Sequence, residues 1–98
     1  MPGTNGHSKD LFHLGQVAAT PGALEVMANA HQMPEDFLER HVRGDWGELG
    51  QADKQQNIAA LSGDDRILSA YTTKAGARIW VITEADRSST TLLLPEEY

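Results

Sequence analysis

Arg66-Ile67-Leu68-Ser69-Ala70-Tyr71-Thr72-Thr73, Arg78-Ile79-Trp80-Val81-Ile82-Thr83 and Thr90-Thr91-Leu92-Leu93-Leu94 are three short runs rich in β-branched, aromatic and aliphatic residues. That composition suits a pleated, half-buried surface. The breaks between them are Lys74-Ala75-Gly76-Ala77 and Glu84-Ala85-Asp86-Arg87-Ser88-Ser89. A parallel crossover needs about a dozen residues or more, so both breaks are turns and the runs form an antiparallel meander. In the middle run Arg78, Trp80 and Ile82 share one face while Ile79, Val81 and Thr83 share the other, because successive side chains alternate across a strand. Both faces carry apolar area. Either the domain covers both sides of this strand, or helices cover one side and a partner, a homodimer included, covers the other.

Upstream of the meander the pattern is helical. Thr20-Pro21 is a helix start, since the threonine hydroxyl can accept an orphan amide and proline loses nothing at the first helical position. The helix is expected over about residues 21–30, with Leu24, Met27 and Ala28 inward. Met33-Pro34-Glu35-Asp36 opens a second helix with early carboxylates at the positive end of its dipole, and Phe37, Leu38, His41 and Val42 form its apolar face. Arg40 and Arg43 suit its C-terminal end, and Gly44 can take the left-handed conformation that stops it. Gly44-Asp45-Trp46-Gly47 is a compact turn with Trp46 as its anchor. A third helix is expected over residues 51–61, with Ile58 and Leu61 inward, and Ser62-Gly63-Asp64-Asp65 ends it. Before the first helix, Leu11 to Ala19 reads as a short strand interrupted near Gly15, with Phe12, Leu14 and Val17 inward. Residues 1–10 are turn-forming and polar, and are expected to be a disordered arm.

The order of elements is strand, three helices, three strands, without repeats. It predicts an α+β fold: one small domain over residues 11–98, with a mainly antiparallel sheet made of the C-terminal meander and the N-terminal strand, packed on the helices. Ninety-eight residues support one core, since domains typically have about 100–150 residues. There is no cysteine, which removes disulfides and thiolate zinc sites. No apolar run approaches the roughly 18–20 residues of a membrane span, and the first ten residues lack a signal-peptide core. A cytoplasmic protein without membrane contact is expected. Eight basic against fourteen acidic residues give a net charge of −6, which disfavours nucleic-acid binding unless the basic groups converge.

Chemistry-bearing patterns are sparse. His7, His13, His31 and His41 include no pair at one-turn helical spacing, so no metal motif is read. Ser62, Ser69, Ser88 and Ser89 lack the glycine-flanked elbow of a nucleophile. The carboxylates fall at helix starts and turns, where capping accounts for them. No catalytic residue, metal site or cofactor is therefore assigned. His41 is expected as a packed core residue. The polar segment Glu84 to Thr91 has two readings: a nest of amides and hydroxyls holding an anion beside Arg87, or a tight turn capped by Asp86 and Ser88 with Arg87 in water.

Three blocks carry a resemblance: Gly15-Gln16-Val17-Ala18-Ala19-Thr20-Pro21-Gly22-Ala23-Leu24, Arg40-His41-Val42-Arg43-Gly44-Asp45-Trp46-Gly47, and Ile79 to Thr91 continuing through Pro95-Glu96-Glu97-Tyr98. From Phe12 onward the chain resembles a family of small uncharacterised bacterial proteins encoded on plasmids and integrated mobile elements. The resemblance implies a genetic setting, not a reaction. The function expected from setting and composition together is a non-enzymatic accessory or regulatory protein acting through an unidentified protein partner, by a surface that includes Trp46, Arg78, Asp86 and Arg87. Two alternatives are a small toxin-class ribonuclease using His41, Arg43, Tyr71, Arg78 and Arg87, and an antirestriction decoy presenting carboxylates in a DNA-like stripe. The acidic balance weighs against the ribonuclease, which needs a positive channel for phosphates.

Overall fold

A computed structural model describes residues 10–98; the arm expected over residues 1–10 lies outside them apart from Asp10. The order is β1 (Gln16–Ala19), α1 (Pro21–Asn29), α2 (Pro34–Val42), α3 (Gln51–Leu61), β2 (Ile67–Thr72), β3 (Arg78–Thr83), β4 (Ser89–Leu93) and a final 3-10 turn (Pro95–Glu97). This is the expected α+β domain.

The helix limits follow from local chemistry. The Thr20 hydroxyl accepts from the Ala23 amide at 3.1 Å, and Pro21 opens α1. At α2, the Asp36 carboxylate reaches back to the Met33 amide at 2.8 Å, satisfying a donor left over before the first turn. Gly44, at φ +87°, follows its last turn.

The meander forms as read. β2 pairs antiparallel with β3, Ile67 opposite Thr83 and Tyr71 opposite Ile79, and β3 pairs antiparallel with β4, Val81 opposite Leu92. β1 then joins the far side of β4 in parallel, Val17 beside Thr90, giving the order β1-β4-β3-β2. The sheet is mixed and open. The parallel pair is possible because the whole helical region lies between its two strands.

One face of the sheet carries Ile67, Ser69 and Tyr71 of β2, Ile79, Val81 and Thr83 of β3, and Thr90 and Leu92 of β4, all buried. α1 packs on β4, α2 on β3 and α3 along β2. The main core joins Ala23 and Met27 of α1, Phe37 of α2, and Tyr71, Ile79, Val81 and Leu92 of the sheet. A second cluster gathers Trp46, Ala60 and Ile67, with Phe12, Leu49 and Leu61 against them.

Four inward assignments, Val17, Leu24, Ala28 and Ile58, are corrected. α1 buries Ala23 and Met27, with Ala30 buried just after it, leaving Leu24 and Ala28 exposed; both stripes have helical spacing. α3 buries Asn57 and Ala60 and leaves Ile58 exposed, because Asn57 is needed at a sheet edge. Val17 is 44% exposed, since β1 is an edge strand beyond the reach of the helices. Among the described residues no helix is long and apolar enough to cross a membrane.

Candidate functional site

The residues proposed from sequence as a binding surface do not converge. Trp46 is 7% exposed and belongs to the helix-side cluster with Ile67. Its turn is held from both flanks. Arg40, at the end of α2, makes a two-pronged pair with Asp45 at 2.7 and 3.2 Å, and this guanidinium holds the Asp45 carboxyl below its usual range. The Tyr71 hydroxyl donates to the Asp45 carbonyl at 2.6 Å, and burial pushes the Tyr71 phenol up to about 12. Trp46 Nε1 is buried without a hydrogen-bond partner among the described residues.

Arg78 projects from the opposite face, where it stands opposite Thr72 in the register and approaches Glu48 at 3.8 Å. Asp86 does cap its turn: its carboxylate accepts from the Ser88 amide at 2.9 Å, and hydrogen bonds from Ser88 hold it below its usual range. Arg87 does something neither sequence reading anticipated. From a left-handed backbone at φ +61°, its Nη1 donates to the carbonyls of Asp65, Glu84 and Ala85 at 2.7, 3.1 and 3.0 Å, and its Nη2 donates to the Ala60 carbonyl at 2.7 Å. Its guanidinium also lies 5.9 Å from the centre of the Phe12 ring. Arg87 is thus a staple that ties the β3–β4 turn to the end of α3 and the start of β2, with both terminal nitrogens engaged by the protein itself.

His41 is fully buried as the centre of a polar line across the helix side of the sheet. Nδ1 lies 2.6 Å from Ser69 Oγ of β2 and Nε2 lies 2.9 Å from Thr83 Oγ1 of β3. Thr83 Oγ1 lies 2.7 Å from Thr90 Oγ1 of β4, whose proton goes to the Leu14 carbonyl at 2.7 Å. Each hydroxyl has one proton, so the direction is fixed from that end. Thr90 donates to Leu14, Thr83 donates to Thr90, His41 donates through Nε2 to Thr83, and Ser69 donates to Nδ1. The ring is neutral, and burial lowers its pKa from 6.5 to about 3. Phe12 meets it edge-on at 5.1 Å. Ser69, Thr83 and Thr90 were legible as polar residues on an otherwise apolar strand face, although their common partner was not.

These positions bear on chemistry. His41 and Tyr71, which a ribonuclease would draw on, are buried, and Arg87 is occupied. Among the described residues no group of three or more histidines, aspartates or glutamates is placed to hold a metal ion. A depression of about 400 Å³ beside the end of α3 is lined by Gln56, Ala59, Ala60, Gly63, Asp64 and Asp65, without a basic or nucleophilic group.

The surface that stands out is the outer sheet face, on which α1, α2 and α3 do not pack, although Ala70, Ile82 and Leu93 are buried there. Alternation puts Leu68, Ala70 and Thr72, Arg78, Trp80 and Ile82, and Thr91 and Leu93 there. The final turn folds back over one part of it. Tyr98 meets Trp80 edge-on at 5.6 Å, its hydroxyl accepts from Arg66 Nη1 at 2.6 Å, and it remains 66% exposed. Glu97 fixes the turn by accepting from the Thr20 hydroxyl at 2.6 Å and the Leu94 amide at 2.8 Å. Two aromatic rings and two arginines, Arg66 and Arg78, therefore share this face. Sequence reading placed Trp80 and Arg78 together and missed Arg66 and Tyr98, because the return of the final turn is a long-range event. No protein-family model, curated protein or solved structure matches the chain.

Proposed function

We propose that this is a non-enzymatic accessory or regulatory protein that binds another protein through the outer face of its sheet, around Trp80, Tyr98, Arg66 and Arg78. One observation carries the reading: the face without helices presents aromatic and arginine side chains, the residue types that anchor protein interfaces. Of the groups a ribonuclease would draw on, His41 and Tyr71 are buried and Arg87 is bound to backbone carbonyls, while Arg43 is exposed. The bacterial mobile-element setting and the cytoplasmic location belong to the same proposal and rest on the resemblance and the composition.

The test is affinity capture from a bacterial host with the wild-type chain and with an Arg78→Glu, Tyr98→Ala double variant, both side chains being exposed. The expected result is a partner recovered by the wild type and lost by the variant at an unchanged melting temperature. Capture that is indifferent to the double variant overturns the assignment of this face.

A further inference from the structure

The two long edges of the sheet are treated differently, and the difference defines a second surface independent of the outer face. Along β2 the outward peptide groups of Leu68 and Ala70 are taken. Leu68 exchanges hydrogen bonds with the Asn57 side chain at 2.7 and 3.1 Å, and Ala70 exchanges them with the Trp46 carbonyl and Glu48 amide at 3.1 and 2.7 Å. Along β1 the Gln16 amide donates to Ser88 and the Thr20 amide to Leu92, so the even-numbered residues face β4. In a strand the intervening peptide groups point the other way. Those of Val17 and Ala19 therefore line an outer edge with which no strand pairs among the described residues.

Among the described residues β1 also lacks the usual defences of an edge, which are charge, proline, a bulge or a covering element. Gln16, Val17 and Ala18 are exposed. From Leu14 to Leu24 the sequence contains no charged residue, in a chain whose net charge is −6. A second copy of so acidic a chain can approach closely only where like charges are not opposed, and this edge meets that condition.

We infer that β1 pairs antiparallel with β1 of a second copy, about a two-fold axis through Ala18, to form one continuous sheet. Val17 and the second copy's Ala19 then exchange amide and carbonyl bonds, and symmetry repeats the exchange, so every outward peptide group of the strand is satisfied. Ala18 faces Ala18 in a non-hydrogen-bonded pair, where Cα atoms stand about 4.5 Å apart and small side chains fit. On the helix side Val17 lies across from Ala19, large against small. The outer faces of the two copies become one surface of twice the width.

Sedimentation of the full chain over a range of concentrations tests this, together with three variants. Val17→Pro removes an outward amide and leaves the bonds to β4 intact, as proline is tolerated on the free side of an edge strand. Ala18→Lys keeps every peptide bond partner and places like charges across the axis. Ala18→Cys, in a chain with no other cysteine, sets two thiols at a separation a disulfide can span. The expected results are a dimeric wild type, monomeric and folded Val17→Pro and Ala18→Lys proteins, and a disulfide dimer of Ala18→Cys on oxidation, with Thr72→Cys on β2 failing to cross-link. A wild type that stays monomeric at high concentration, a dimer that survives Ala18→Lys, or an Ala18→Cys protein that does not cross-link each overturns the pairing.

Discussion

The β2 edge and the β1 edge of one sheet show two ways of ending a ladder. At β2 the chain returns twice, with Trp46 to Glu48 acting as a fragment of strand on Ala70 and with Asn57 acting through its amide as a single residue of strand on Leu68. At β1 nothing returns among the described residues. The closed edge is built from polar groups drawn out of α3 and the turn after α2, at the expense of an exposed Ile58. Pairing both part-buried peptide groups of Leu68 offsets leaving one aliphatic side chain exposed, since each unpaired group costs about 1–3 kcal/mol. The His41 line connects the two sides, running from Ser69 on β2 to the Leu14 carbonyl just ahead of β1.

The closed edge is most sensitive at Gly47. Its φ of +73° suits glycine, and an added Cβ would overlap the Ala70 carbonyl and press on the Tyr71 ring. Gly47→Val should cost about 3 kcal/mol or more in denaturant unfolding. A loss below 1 kcal/mol would show that the Trp46–Glu48 fragment is dispensable. Asn57→Leu keeps α3 helical but orphans the Leu68 amide and carbonyl, for an expected loss of about 2–3 kcal/mol. Faster hydrogen exchange at Leu68 than at Val81 would accompany it, and an unchanged exchange pattern would refute the role given to Asn57.

Acid titration tests the line beneath the sheet. The folded pKa of His41 is depressed from 6.5 to about 3, so between those values the unfolded chain binds more protons and stability falls as the pH falls. Above about pH 7.5 this contribution is flat. From pH 6.5 to pH 5, before most carboxylates titrate, the loss should be about 1.7 kcal/mol. A His41→Leu protein, less stable at neutral pH, should lack that slope, and identical slopes in the two proteins would remove His41 as its source. At the open edge, Val17→Lys should change the stability of the monomer by no more than about 0.5 kcal/mol. A loss comparable with that of Asn57→Leu would mean that the β1 edge is covered.

Much of the architecture could be read from local pattern. The meander, the Thr20 cap, the prolines opening α1 and α2, and the inward set Phe37, His41 and Val42 are all written in short stretches. Of the candidate site, Arg78 and Trp80 were read correctly as neighbours on one strand face. Trp46 was read as an anchor, and it is one, but it faces the helices and not the surface. Arg87 shows why a polar turn is hard to interpret: arginine in water and arginine bound to four carbonyls have the same local sequence, and the carbonyls of Ala60 and Asp65 lie more than twenty positions away.

By itself, then, the sequence determined which segments are strands and helices, where the helices begin, and that one acidic, cysteine-free α+β domain would form. Those properties depend on side-chain period, capping and composition, which act within a few residues. Only the tertiary structure decided that β1 lies parallel beside β4, that Asn57 displaces Ile58 at the closed edge, that Arg87 is a staple, and that Arg66 and Tyr98 join Trp80 on the outer face. Each of these is settled by hydrogen-bond partners and packing neighbours distant along the chain, and a local pattern specifies which face is buried without specifying what buries it.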